Sequence, residues 1–354
     1  MTTRRTFAWL ASAALAGAVL APGDAAAQDY YDGKTITFVL SVAAGSGGDL
    51  HARLTAEYLE KHIPGNPNIV INNRPGGKGA IALNYIFEQA PQDGTAFFYG
   101  EWNAAAVLDG APGIRYVPEE MGVVGSAGAD LSLVARYDVV PDVAALADAE
   151  LIVGGRGSTN AIEVLGNLGL RVLGVDFRYV GGFGGFGKIQ AAIKPGEVNA
   201  GHAGLPGYVR FFGDESDIAW PVYYHPQFDE AGNPRPKTPG AYPDDTLSIV
   251  EVHEALHGAP PSGKWWEAYK WYQDNLMAAT TAILSPPNVP DEALEIMQQA
   301  YQDVAADPDF LTEYEKAIGV PPPFNSTEKT RAIINGFRDI PAEVQATVQE
   351  ISKL

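Results

Sequence analysis

Ile36-Thr37-Phe38-Val39-Leu40-Ser41-Val42 runs straight into Ala43-Ala44-Gly45-Ser46-Gly47-Gly48-Asp49. The first seven residues are apolar and rich enough in β-branched side chains to form a buried strand. The next seven are small and turn-forming. Leu50, Leu54 and Tyr58 then fall on one helical stripe that stops at Pro64. A strand, a Gly-rich turn and a helix make the opening unit of a parallel α/β sheet. The rhythm recurs outward from it. Ile69–Ile71 is a strand, Asn73-Arg74-Pro75-Gly76-Gly77 a turn, Ile81–Ala90 a helix ended by Pro91, and Thr95–Tyr99 a strand. Further strands are expected at Leu131–Ala135, Leu151–Val153, Phe177–Val180, Val198–Ala200 and Ile218–Tyr224. Helices are expected to open after Ser158 and to close at Lys194. Such alternation implies α/β architecture, with parallel sheets covered by helices on both faces. Residues 225–245 are rich in Pro, Gly, Asp and Asn and read as a long loop. Trp265, Trp266, Tyr269, Trp271 and Tyr272 mark a helix whose rings are expected in a core. After Pro290 the pattern is helical.

The 354 residues suggest two domains, and 46% hydrophobic side chains suit a folded globular chain. A formal charge of −19 leaves no basic excess for neutralising phosphates, so nucleic acid is not an expected partner. The same charge disfavours an anionic lipid surface. The absence of Cys removes disulfides, thiol nucleophiles and Cys-type metal sites. Arg4-Arg5-Thr6-Phe7, an apolar run to Leu20 and Ala25-Ala26-Ala27 read as a basic n-region, an h-region and a cleavage site. Residues 1–27 are therefore expected to be a signal peptide of twin-arginine appearance, removed on export. The run is shorter than the ~20 apolar residues of a membrane span.

Three motifs invite chemical readings. His253-Glu254-Ala255-Leu256-His257 spells H-E-x-x-H, which on a helix sets two imidazoles on one face for zinc. Its context argues against that role, because Gly258-Ala259-Pro260-Pro261 ends the helix and no third ligand follows. An exported zinc hydrolase is kept as a rival reading; no bound metal or cofactor is expected. Gly182-Phe183-Gly184-Gly185-Phe186-Gly187 contains G-x-G-x-x-G, but the acidic residue a dinucleotide site needs is missing after Val198–Gly201. What survives is a Gly-rich turn offering backbone N–H groups to an anion. The third feature is a set of turns. Gly45–Asp49, Gly157–Asn160 and Gly181–Gly187 all sit between a strand and a helix, at the sheet edge where open α/β folds bind ligands. Asp49 and Ser158 are also candidate N-caps.

These residues carry a family resemblance. Phe38–Arg53, with Asp49-Leu50-His51-Ala52-Arg53 and Ala44 in place of a Pro, resembles the first segment of the substrate-binding proteins of tripartite tricarboxylate transporters, the Bug or TctC-type family. Asn73-Arg74-Pro75-Gly76-Gly77-Lys78-Gly79 resembles that family's Asn-Arg-Pro-Gly stretch. Ala90-Pro91-Gln92-Asp93-Gly94-Thr95, Gly155-Arg156-Gly157-Ser158, Ser285–Pro290 and Asp307-Pro308-Asp309-Phe310 follow in family order. The resemblance implies a type II-like periplasmic clamshell of two α/β domains, each a mostly parallel sheet flanked by helices. Residues 28–133 plus 283–354 would form the first domain and 134–282 the second. It implies no catalysis and a monomeric receptor that hands a small di- or tricarboxylate or an aromatic acid to a membrane permease of one large and one small subunit; a sensory module is the other alternative. The residues it points to are Ser46, Gly47, Gly48 and Asp49 in the first turn, and Gly157, Ser158, Thr159 and Asn160 in the second. Trp102 and Asn103, at another strand edge, and Phe183, Gly184, Ala203 and Gly204 complete the candidate ligand contacts, with Arg53 and Arg156 nearby.

Overall fold

The computed structural model describes residues 30–354 except 109, 129–130, 205–206, 209–216, 229–231, 238–239, 241 and 320. The signal-peptide segment lies outside the described residues. Among the described residues, twelve strands form two six-stranded sheets. The first runs β12 (Phe324–Asn325), β4 (Gly122–Ala127), β11 (Thr281–Ser285), β3 (Ala96–Glu101), β1 (Thr35–Leu40) and β2 (Asn68–Asn73). The second runs β10 (Leu247–Ser248), β9 (Ala219–His225), β5 (Leu131–Arg136), β8 (Ala200–Gly204), β6 (Leu151–Gly154) and β7 (Phe177–Val180). Among the described residues no helix is long and apolar enough to cross a membrane.

Each sheet combines parallel with antiparallel pairing, and chain passage between lobes explains why. β1, β2 and β3 pair in parallel, as do β6, β7 and β8. Each of these strands delivers a loop to the boundary between lobes. β5 and β11 enter their sheets from that boundary, so they must run away from it. β5 is accordingly antiparallel to β8 and β9, and β11 to β3 and β4.

The helix Gly47–His62 fills one side of the first sheet with Ala52, Leu54, Ala56, Tyr58 and Leu59, all buried. Its N-cap is Ser46, whose hydroxyl accepts the Asp49 N–H at 3.3 Å; Asp49, expected as a cap, lies inside the first turn. Gly45 reaches the turn at a φ of 77°, a left-handed conformation that favours glycine. In the second lobe the helix Ala161–Val172 starts three residues after Ser158, with Asn160 as N-cap. It lies close on the sheet through two glycines. A Cβ at Gly166 would meet the His202 ring at 2.2 Å, and one at Gly169 would meet His225 at 3.0 Å. Tyr269 and Tyr272 of the helix Lys264–Asn275 are buried as expected, while its three tryptophans pack partly buried around that core. The last helix, Ala342–Ser352, rests on second-lobe helices Ala161–Val172 and Lys264–Asn275.

Candidate functional site

The principal cavity among the described residues, about 820 Å3, opens between the two sheets. The first lobe lines it with the Ser41–Gly48 turn, His51 and Glu101, and the second with Arg156, Asn160, the Phe183–Ile189 turn, His202 and Gly204. Two helix N-termini therefore face one cleft, that of Gly47–His62 from one side and that of Phe186–Ile193 from the other. First-turn N–H groups have no intrahelical acceptor and carry the positive end of the helix dipole. An anion can be held between them with no free cation, which suits a chain of net charge −19.

The first turn is braced from behind. The Asp49 carboxylate accepts the Gly45 N–H at 2.8 Å, Arg53 Nε at 2.9 Å and the Asn73 amide at 2.8 Å. Burial would raise its pKa, but these donors outweigh it and hold the group below the usual carboxylate range. Asp49 thus shapes the turn instead of lining the cleft. One helical turn in, His51 is buried, with Nδ1 2.6 Å from the Tyr314 hydroxyl and Nε2 without a partner among the described residues. Burial depresses its pKa to about 4, so the ring is neutral.

Across the cleft Arg156 joins the lobes. Its Nη1 donates to Glu101 at 3.1 and 3.3 Å, its Nε to Glu163 at 3.2 Å, and its Nη2 to Asn160 at 2.6 Å. Burial would lower its pKa, yet the two carboxylates carry it above its ordinary value.

Of the residues expected at the site, Ser46, Gly47, Gly48, Asn160, Phe183, Gly184 and Gly204 line the cleft. Asp49, Trp102, Asn103, Gly157, Ser158, Thr159 and Ala203 are not among its lining residues. Trp102 is buried, its Nε1 donating to the Ala279 carbonyl at 2.9 Å and its ring edge-on to Phe337. Asn103 caps the short helix after it through the Ala106 N–H at 3.0 Å. Ala203 packs in the second-lobe core. The Ser158 hydroxyl donates to the Ser352 carbonyl at 2.7 Å, a bond to the last helix. Ser158→Ala is therefore expected to cost ~1 kcal/mol of stability. Urea unfolding measures it, and an unchanged midpoint would show the bond to be idle. Arg53 braces Asp49 rather than facing the cleft. His51 and Glu101 line the cleft but are not among the expected contacts, although each neighbours one: His51 lies two residues past Asp49, and Glu101 directly precedes Trp102.

The His253 and His257 rings lie 4.5 Å apart on the helix Ile249–His257. His253 Nδ1 is 2.7 Å from the Ala259 carbonyl, and His257 Nε2 is 3.0 Å from the Leu173 carbonyl. Gly258 in the left-handed conformation ends the helix there. No group of three or more His, Asp or Glu side chains among the described residues is placed to hold a metal ion.

Solved structures share this arrangement of two lobes and a cleft. A Rhodopseudomonas palustris protein solved with adipate superposes with a TM-score of 0.69 at 17% identity, covering 91% of this chain and 98% of that one. The periplasmic binding protein BugD superposes with a TM-score of 0.68 at 16% identity, over 91% and 98% of the two chains. The fold is that of the Bug- and TctC-type periplasmic solute-binding proteins. A curated relative, a UPF0065 protein in the TAR-I ttuE-ttuC' intergenic region of Agrobacterium vitis, is 26% identical over 196 residues, which is 53% of this chain. The match spans 56% of that relative's length. No protein-family model matches the chain. In the Bug-type fold described here, both Gly-rich turns reach the cleft, whereas Ser158, in the loop between them in sequence, is tied to the chain's end.

Proposed function

We propose that the protein is an exported, periplasmic solute-binding protein that captures a small organic acid and hands it to a tripartite tricarboxylate-type permease, without catalysis. The observation that carries this reading is the pair of helix N-termini, one from each lobe, facing a single cleft of about 820 Å3. That volume falls within the ~300–1,000 Å3 range of small-molecule sites. The adipate seen with the R. palustris neighbour supports a carboxylate as cargo. The proposed division is residues 28–133 plus 283–354 for the first domain and 134–282 for the second, acting as a monomeric clamshell, with the final helix docked across onto the second.

Binding at this site should stabilise the protein and close it. A thermal-shift screen of mono-, di- and tricarboxylates, aromatic acids included, should find at least one acid that raises the melting temperature. A ligand at a hundredfold excess over its Kd adds ~2.7 kcal/mol. Scattering with that acid should show a smaller radius of gyration, as hinge closure requires. A screen in which no acid stabilises the protein, or stoichiometric zinc in the purified protein, would overturn the reading.

A further inference from the structure

The cation at the centre of the cleft is already spent. Every nitrogen of the Arg156 guanidinium has a protein acceptor: Glu163 on Nε, Glu101 on Nη1, and Asn160 on Nη2. Its charge is thus met by two carboxylates of the protein itself before any ligand enters. Glu101 is less fully used. Both of its oxygens accept from the single nitrogen Nη1, and its side chain keeps 27% of its exposure, at the cleft wall. An ionised carboxylate offers about four acceptor sites, so Glu101 presents unspent lone pairs and a negative charge to whatever occupies the cavity. Two carboxylates, Glu101 and Glu163, line the cleft against one guanidinium and the exposed Lys188 at its edge. A ligand that brought only further acceptors would set lone pair against lone pair there.

We infer that the cargo is an organic acid that also carries a hydrogen-bond donor, an ammonium or a hydroxyl group, and that the Glu101 carboxylate selects it. This rests on the receptor reading above and narrows its ligand class. The backbone N–H groups of the two turns hold the acid end. Glu101 accepts from the donor end. An ammonium gains charge attraction as well as the hydrogen bond, and a hydroxyl gains the hydrogen bond alone.

Calorimetric titration of the full mature chain with two matched series tests this: succinate, malate and aspartate, then propionate, lactate and alanine. Within each series the hydroxy or amino acid should bind about tenfold more tightly than the bare acid. Glu101→Gln keeps the shape and one acceptor but removes the charge. It should weaken aspartate and alanine about tenfold, hold the hydroxyl preference, and strengthen succinate and propionate. Equal affinities within each wild-type series would overturn the inference, even if Glu101→Gln failed to fold. So would a Glu101→Gln variant that weakened all six alike, because Glu101 would then act only as a bridge to Arg156. If none of the six binds while another acid stabilises the protein in the wider screen, the inference falls and the receptor reading stands. If no acid in either experiment binds, both fall.

Discussion

Lowering the pH from 7 to 5 is expected to remove roughly 5 kcal/mol of unfolding free energy, through three buried histidines. His51, His202 and His225 are all sequestered. Burial pushes the pKa of His51 down to about 4 and that of His202 to about 3. His225 is held well below its ordinary value by burial and by the neighbouring His202 ring, 6.3 Å away between centroids. The polar groups facing these rings are the hydroxyls of Tyr314 and Tyr269 and the amide of Asn167, none of which supplies a negative charge. The unfolded chain takes up protons near pH 6.5, while the folded chain resists until about pH 4 for His51 and about pH 3 for His202. The folded pKa lies below the unfolded one, so stability is intact above pH 7, starts to fall near 6.5 and keeps falling to the folded values. Asp49 and Asp307, whose pKa values are lowered, extend the loss below pH 4. Urea unfolding at pH 7, 6 and 5 measures the slope, and His225→Phe should take about a third off it. A free energy independent of pH between 7 and 5 would show that these imidazoles reach solvent.

Arg156→Met is expected to destabilise the protein by about 3–5 kcal/mol, because it orphans a buried carboxylate. The Glu163 side chain is only 2% exposed and accepts both Arg156 Nε and the Arg156 backbone N–H, the latter at 2.9 Å. The backbone bond survives the substitution, but the counter-charge does not. The double variant Arg156→Met with Glu163→Met should therefore be more stable than Arg156→Met alone, since it leaves no unpaired charge inside. Thermal melts at pH 7 decide the order. A double variant less stable than the single one would mean that Glu163 contributes mainly through the Arg156 backbone bond.

How much of this was legible in the sequence follows from where each residue finds its partner. The Gly45–Asp49 and Phe183–Gly187 turns could be read because a strand followed by glycines and a helical stripe fixes both position and orientation. Helix starts were less legible. In Gly157–Asn160 two residues compete as caps, and Asn160 takes the role through the Ile162 N–H at 3.1 Å. Ser158 is drawn off by Ser352, 194 positions away, which no local pattern announces. Trp102 likewise spends its N–H on Ala279, 177 positions distant. The Glu101–Arg156 pair joins a strand end of one lobe to a loop of the other, so the sequence offers Arg156 only as a candidate beside the site and gives no sign of its partner.

The place of β11 has a consequence for synthesis. It lies in the middle of the first sheet, between β4 and β3, although about four-fifths of the chain precedes it. Until Thr281–Ser285 leave the ribosome, β1, β2 and β3 form one partial sheet and β4 stands apart from it. Each exposes an unpaired edge, and the edge of β3 carries Phe97, Phe98 and Tyr99. Bare apolar edges of this kind invite pairing with other chains. The nascent first lobe is thus a half-built sheet for most of translation, whereas the second lobe has all six of its strands once Ser248 has emerged. The order of completion is the reverse of the order of synthesis: the lobe that begins first is finished last.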